Sequence, residues 1–297
     1  MTTLLLVNPA AGHGRARRLA PETRHAAEAA WGPVERLDTP AAGAAVGLVQ
    51  AAVERGTSRV LVLGGDGTVH EAANGLLRAQ VTNRPPLAVV AAGTGNDFAK
   101  LCGTERLRPR EAVDRLARGQ VRSLDVGEGW GEYFLNSIGI GFDAEVAYRL
   151  TRLRHGRGIL VYLFTVLRTL AGREPFEVEV AAGRHSFRDR LLLLEIGNGP
   201  VVGGGFRLTP HARPDDGQFD VCAIQDMPTP LILARLPLAM LGKHLGLKVV
   251  RYFRCDRLVV RSPAGALLAQ FDGEVRNRSE PLDIRIRPAA LPVLFAS

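Results

Sequence analysis

Residues 60–75 read VLVLGGDGTVHEAANG: an apolar run, the turn Gly64-Gly65-Asp66-Gly67-Thr68, and a helix expected to open at Val69. These residue types suit a bound phosphate chain. Glycine tolerates positive φ and lets backbone come close to a ligand, so N–H groups can converge on anionic oxygens. A helix N-terminus behind the turn adds partial positive charge. Asp66 would repel a phosphate by itself and makes chemical sense facing Mg²⁺ or that ion's water shell. A second turn of this kind, Gly93-Thr94-Gly95-Asn96-Asp97, follows the apolar run Leu87–Ala91. One such turn could be a tight surface bend. Two of them, each at the C-terminal end of a strand in one α/β sheet, point to a nucleotide, because open parallel sheets bind ligands at that edge.

The elements that must position these turns follow from hydrophobic patterning. Strand-like runs at Leu4–Val7, Val34–Leu37, Val60–Leu63 and Leu87–Ala91 alternate with segments rich in Ala, Leu, Glu and Arg that read as helices. This is the pattern of a parallel sheet with helices on its faces. The first loop, Asn8-Pro9-Ala10-Ala11-Gly12-His13-Gly14, runs into a helix near Arg15 and is a third candidate for the same edge. A helix around Arg110–Arg118 closes this half.

After Gly119 the strand candidates are longer and more often adjacent: Tyr133–Ile138, Phe176–Ala181, Leu191–Ile196, Phe219–Ile224, Leu258–Val260 and Leu282–Ile286. They suggest an antiparallel sandwich or open barrel. Helices at Asp143–Arg154, Gly158–Leu170 and Thr229–Leu245 interrupt it, and Pro237 should kink the last. The boundary falls near residue 121. The expected architecture is an α/β nucleotide-binding domain over 1–121 and a β-rich domain over 122–297, with a cleft between them and the last residues free to pack back on the first domain.

A chain of 297 residues with 46% hydrophobic content is long enough for two cores. Its charge of +8 comes from 38 basic and 30 acidic residues, and the lysines are only Lys100, Lys243 and Lys248. Such a balance favours an anionic partner. Cys102, Cys222 and Cys255 are odd in number and widely spaced, as expected for a reducing cytosol. The run Leu4–Val7 is short and has no basic residues before it, so no secretory signal is expected. The apolar stretches Ile159–Leu167 and Leu231–Leu241 fall short of the roughly 20 residues of a spanning helix. The reading is a cytoplasmic protein, at most held peripherally at a membrane surface.

The motifs taken together resemble one family. Gly64-Gly65-Asp66-Gly67-Thr68 with Glu71 and Asn74-Gly75, then Gly93-Thr94-Gly95-Asn96-Asp97-Phe98-Ala99, then Asn136 with Gly139-Ile140-Gly141-Phe142-Asp143, and finally Asp272-Gly273-Glu274, resemble the bacterial diacylglycerol kinase-like lipid kinases. That family also holds sphingosine and ceramide kinases, and the likeness runs from Asn8 to about Glu274. It implies ATP bound between the domains and a lipid alcohol received by the β-rich one. By resemblance, Asn8, Pro9, Ala10, Ala11, Gly12, Thr39, the turn from Gly64 through Val69 to His70, Thr94 and Asn96 match nucleotide contacts. Asp66 and Asp97 match acidic positions near phosphates and metal, and Asp125 one that joins a magnesium and water network. Asp272 matches the proposed base, with Glu274 an open alternative. Arg213 and Gln218 through their carbonyls, and Asp216 through its carboxylate, resemble a second, non-catalytic Mg²⁺ site. From local sequence alone, Asp272 reads first as a hairpin aspartate, a preference that the family pattern reverses.

Other features carry less. Gly139-Ile140-Gly141-Phe142-Asp143-Ala144 matches a shortened dinucleotide fingerprint, but no acidic residue follows at roughly 20 positions. Gly242-Lys243 lacks the glycine spacing of a Walker A loop. The 7 histidines form no zinc pattern, and His70 reads either as a nucleotide contact or as a solvated helix residue. Arg149, Arg152, Arg154 and Arg157 precede the apolar helix at Gly158–Leu170; they are a solvated face, or they dock on anionic headgroups while apolar faces there and at Thr229–Leu245 meet acyl chains. Gly203-Gly204-Gly205 near Asn198 shapes a loop over the cleft or is flexible linkage. A soluble NAD kinase shares the Gly-Gly-Asp-Gly turn but needs an Asn-Glu pair, and this chain has none. Nucleic acid is not an expected partner, since aromatics total 6% and no binding motif occurs. A regulator without catalysis would not need Asp66, Asp97, Asp125 and Asp272. An exposed edge of the β-rich domain would permit a homodimer.

Overall fold

The computed structural model describes residues 2–152, 159–202 and 205–297. Arg154, His155, Arg157, Gly203 and Gly204 lie outside the described residues. The chain divides into two compact units, Met1–Val126 with Pro288–Ser297, and Gly127–Arg287. In order come β1 (Thr3–Val7), α1 (Ala11–Trp31), β2 (Val34–Asp38), α2 (Ala44–Glu54), β3 (Arg59–Gly64), α3 (Asp66–Arg78), β4 (Leu87–Ala91), α4 (Asp97–Cys102), α5 (Pro109–Arg118) and β5 (Gln120–Gly129). There follow β6 (Glu132–Phe134), β7 (Ser137–Gly141), α6 (Phe142–Thr151), α7 (Ile159–Ala171), β8 (Phe176–Ala181), β9 (Phe187–Gly197), β10 (Phe219–Gln225) and α8 (Thr229–Met240). The chain ends with β11 (Val250–Cys255), β12 (Arg257–Arg261), β13 (Leu267–Phe271), β14 (Glu274–Arg278) and β15 (Leu282–Phe295).

In the first unit β4, β3, β1 and β2 lie side by side in parallel, and the end of β15 joins β4, pairing Val293 with Leu87. Strands covered on both faces need continuous apolar runs, and β1 and β4 are buried at every position. Helix α1 turns Ala16, Ala20, Thr23 and Ala27 toward the sheet, small side chains that let it approach closely. They meet Leu5, Leu61, Leu63 and Leu294 in one core. Truncating Leu61 to alanine there costs about 2–5 kcal/mol. Gly12, His13 and Gly14 all have positive φ, so the regular part of α1 begins at the expected Arg15. Helix α3 starts at Asp66 rather than at Val69, placing the aspartate in the first helical turn, where the macrodipole favours a negative charge.

The second unit is mainly antiparallel, in the order β14-β13-β7-β9-β8-β12-β15, with β10 between β9 and β11. One face carries a core of residues such as Phe134, Ile138, Leu194, Phe219 and Phe271. On the opposite face α6, α7 and α8 bring Val146, Val166 and Ile232 against Leu192, Leu193 and Cys222. The run expected as one strand at Tyr133–Ile138 is two, because the Leu135 and Asn136 amides leave the ladder to bond a side chain described below. Helix α8 stops at Met240, not Leu245. Gly242 takes positive φ, and the Lys243 N–H reaches back to the Leu238 carbonyl at 2.8 Å, a glycine C-terminal cap. Strands β5, β11 and β14 carry so many charges that alternation hides them. No described helix is long and apolar enough to cross a membrane.

Candidate active site

At the C-terminal edge of the parallel strands, the turns after β3 and β4 abut backbone to backbone. A Cβ on Gly93 would lie 2.5 Å from the Gly65 Cα, and one on Gly65 3.1 Å from the Gly93 Cα, so Gly93 has no room for a side chain and Gly65 little. The Asn8 amide after β1 donates to the Thr68 hydroxyl at 3.0 Å while its oxygen accepts from Ala10 N–H at 3.1 Å, tying the first loop to the β3 turn. Ala11 N–H donates to the Asn8 carbonyl at 3.0 Å, and Thr39 N–H extends β1 by donating to the Val7 carbonyl at 2.8 Å. Asn96, at φ 53°, folds its amide onto Gly93 N–H and carbonyl, both at 2.9 Å. The segments Asn8–Gly12, Gly64–Val69 and Thr94–Asp97 thus share one edge, with Thr94 exposed.

The acidic side chains of this unit hold structure as well as charge. Asp66 accepts from Phe98 N–H at 3.2 Å at the start of α4. Asp97 pairs with Lys100 at 2.6 Å. Asp125 is buried and accepts from Ala289 N–H at 2.7 Å. His70 is internal at 3% exposure and packs on Asn74, which overturns the solvated alternative for it. Glu71 accepts from Gly43 and Ala45 N–H at 2.8 and 3.0 Å and so fixes the start of α2.

In the second unit Asp272 and Gly273 are the central pair of the β13–β14 hairpin, at φ 49° and 95°, with Phe271 paired to Glu274. Asp-Gly is the expected pair for such a turn. The local hairpin reading therefore holds, and the side chain does more. Asp272 Oδ1 accepts from Asn136 and Ser137 N–H at 2.8 and 3.0 Å, and Oδ2 from Leu135 N–H at 2.8 Å. Of about four lone-pair positions on a carboxylate, these use three. Asn198, fully buried, supports the same segment, donating to the Leu135 carbonyl at 2.8 Å. Glu274 opens β14 half-buried.

Next to this turn lies a polar row that the sequence did not reveal. Across β13, β7, β9 and β10 the register aligns Gln270, Gly139, Glu195 and Cys222. A Cβ on Gly139 would sit 2.1 Å from Asp143 Oδ2, so the glycine makes room for the Asp143 carboxylate. The supposed dinucleotide fingerprint is a seat for that side chain. Gln270 donates to Asp143 Oδ2 at 2.8 Å. Burial pushes the Asp143 carboxyl up, and the Gln270 bond pulls it down. Glu195 is fully buried, and neither oxygen has a partner of normal geometry. Burial raises its carboxyl well above the usual range; the Asp143 charge adds to this, and Ser137 opposes it. Cys222 Sγ lies 3.5 Å from His244 Nε2. Asp143 and His244 also line an apolar cavity whose walls include Leu193, Ile224, Ile232 and Leu236.

At the turn proposed for a second ion, Asp216 Oδ1 accepts from Gln218 N–H at 3.2 Å while Oδ2 bonds the Arg254 guanidinium. The Arg213 side chain turns to Asp215 at 3.4 Å. Arg254 also lies 3.8 Å from the buried Asp220, so a cation already stands at this turn, and magnesium there would compete with it.

Comparison with known proteins agrees with this geometry. Residues 2–129 match the diacylglycerol kinase catalytic domain, and residues 136–295 the YegS C-terminal NAD kinase beta sandwich-like domain. A diacylglycerol kinase of Mycobacterium tuberculosis is 31% identical over 97% of this chain and 93% of its own. A "Probable lipid kinase YegS-like" of Pseudomonas fluorescens is 34% identical over 93% and 89%. The crystal structure of a diacylglycerol kinase from Bacillus anthracis shares the fold, at TM-score 0.76 and 23% identity over 99% of this chain and 96% of that one. A yeast NADH kinase is more distant in fold, at TM-score 0.54 and 10% identity. The α/β first unit and the mainly antiparallel second unit correspond to the two family models, and the chain belongs to the diacylglycerol kinase family of lipid kinases.

Proposed function

We propose that this lipid kinase transfers the γ-phosphate of ATP to the hydroxyl of a membrane lipid such as diacylglycerol. The observation that carries the acceptor is the cavity in the second unit, whose aliphatic walls suit an acyl chain and offer little to a charged dinucleotide. Phosphoryl transfer asks the protein mainly to position two oxygens and neutralise charge. The abutting Gly65 and Gly93 turns, with the loop from Asn8 to Gly12, would receive the triphosphate on the first unit. Asp272, or Glu274 beside it, would orient the acceptor hydroxyl and take its proton.

Magnesium fits the first unit through the chemistry of its donors. Asp66, Asp97 and Asp125 are hard oxygen ligands, and among the described residues no cluster of three His, Cys, Asp or Glu makes a ready metal cage. Magnesium usually keeps its waters and arrives on phosphates with one or two carboxylates. When bound it would neutralise charge on the phosphates.

Access from a membrane is part of the same reading. Phe164 and Leu167 on α7, and Leu231, Leu233, Met240 and Leu241 on or just after α8, are exposed apolar side chains beside helices that also wall the cavity. Of the basic run, Arg149 pairs with Glu145 at 2.7 Å and Arg152 stacks over Tyr148. The protein would attach at an anionic surface through the apolar side chains rather than through those arginines alone.

The decisive experiment is transfer of label from γ-labelled ATP into an organic-extractable product across a panel of lipid alcohols, with NAD as the competing acceptor. Label in NAD and in no lipid would overturn the reading. Changing Phe164 and Leu241 together to serine should cut sedimentation with anionic vesicles at least several-fold.

A further inference from the structure

Gln270 is a buried side chain with two obligations. Its amide nitrogen donates to Asp143 Oδ2 at 2.8 Å, and its oxygen accepts from Gly273 N–H in the β13–β14 turn. Chemistry fixes this orientation, since a carboxylate requires a donor and a backbone N–H requires an acceptor. On one side stands Asp143, seated over Gly139 and contributing to the cavity wall. On the other stands the turn that holds Asp272 in a left-handed conformation uncommon for a residue with a side chain. Asp272 in turn clasps the Leu135–Ser137 amides, and Ser137 leads into β7, which carries Gly139. The circuit closes on itself: Gln270, Asp143, Gly139, Ser137, Asp272, Gly273 and back to Gln270.

We propose that Gln270 is a positioning residue that fixes the Asp272 turn in register with the Asp143 wall of the lipid cavity. Both of its side-chain hydrogen bonds stay within the second unit. Its effect is on where Asp272 stands relative to an acceptor lodged in the cavity, and so on the rate of transfer rather than on nucleotide affinity. A misplacement of about 1 Å at a reacting group can cost roughly 100-fold in rate. This inference rests on the lipid kinase reading for its kinetic consequence but not for its structural one.

Two variants separate the possibilities. Gln270→Leu removes both bonds. Gln270→Glu keeps the shape and the acceptor toward Gly273 but sets a second carboxyl against Asp143, so the contact can form only when the two share a proton. Glu195 on β9, whose carboxyl feels the Asp143 and Asp272 charges, is the other titratable group facing this contact and is present in every variant compared. With the wild type phosphorylating a lipid, both variants should lower kcat tenfold or more at pH 8 with KM for ATP unchanged within twofold. Measured against wild type at each pH, Gln270→Glu should recover most of that loss by pH 6, and Gln270→Leu none. Hydrogen exchange supplies a readout independent of turnover. Peptides over 134–138 and 271–275 should exchange at least tenfold faster in Gln270→Leu, while one over 4–7 stays as in wild type. Should the leucine variant not fold, the glutamate variant carries both measurements, with exchange fast at pH 8 and slowed toward wild type at pH 6. A kcat within twofold of wild type, unchanged exchange at 271–275, or a pH profile for Gln270→Glu parallel to wild type each overturns the proposal. If the wild type phosphorylates no lipid, the kinase reading fails, and the exchange data alone decide whether Gln270 holds the turn.

Discussion

In the first unit, the turns suited to phosphate chemistry are closed partly by near neighbours in sequence, although Asn8 also reaches Thr68 and Asp66 accepts from Phe98 N–H. Asn96 closes on Gly93 three residues away, and Asn8 on Ala10 two residues away. In the second, Asp272 is held by amides 135–137 positions distant, and Gln270 reaches an aspartate 127 positions away. The first site is made by leaving side chains out so that backbones can touch; the second is made by putting polar side chains in and satisfying them across strands. Steric change should therefore damage the one and polar change the other.

The strongest test of that contrast is Asp272→Asn. An amide NH₂ would face backbone donors where the carboxylate accepted, so transfer should fall more than about 100-fold and the unfolding midpoint should drop as well. Binding of a fluorescent nucleotide should be unchanged, and a parallel loss there would break the separation of the two sites. Next comes Gly93→Ala, whose methyl cannot fit against Gly65. It should cost about 1–3 kcal/mol in urea unfolding and at least tenfold in nucleotide affinity.

Legibility in the sequence follows the same division. The glycine turns and their strands could be read because each is punctuated locally, whereas Asp272 and Asp125 are singled out only by the family resemblance. Glu195 and Gln270 gave no such sign, since one sits in an apolar strand and the other precedes a turn, and only strand register sets them in a row. Charged strands such as β14 were missed for a related reason: their burial is one-sided and their pairing long-range.

Glu195 sharpens the comparison through pH. Its folded carboxyl titrates well above its unfolded one, so the native state holds the extra proton. Stability from this group is complete below the unfolded value and is lost as pH rises toward the folded one. Glu195→Gln should therefore raise the melting temperature at pH 7–8, with the gain shrinking toward pH 4.5. A variant less stable at pH 8 would mean that the charge is used. Smallest of all should be Arg254→Ala, since Arg254 is 46% exposed, its close partner Asp216 is partly solvated, and the buried Asp220 stands off at 3.8 Å. A loss below about 1 kcal/mol is expected, together with greater stabilisation by added Mg²⁺ once Asp216 has no guanidinium beside it. A melting curve with and without the ion decides this.

The return of Pro288–Ser297 to the first unit has a consequence for biosynthesis. Leu294 belongs to the core shared with Leu5 and Leu61, Ala289 satisfies Asp125, and the Ala296 N–H bonds the Cys102 carbonyl. A ribosome makes these residues only after the whole second unit, so the first unit stays open along one sheet edge until the chain beyond β14 has been synthesised. Chains stalled after β14 would present β4 unpaired on that side, an invitation to aggregation or to degradation that a completed chain withdraws.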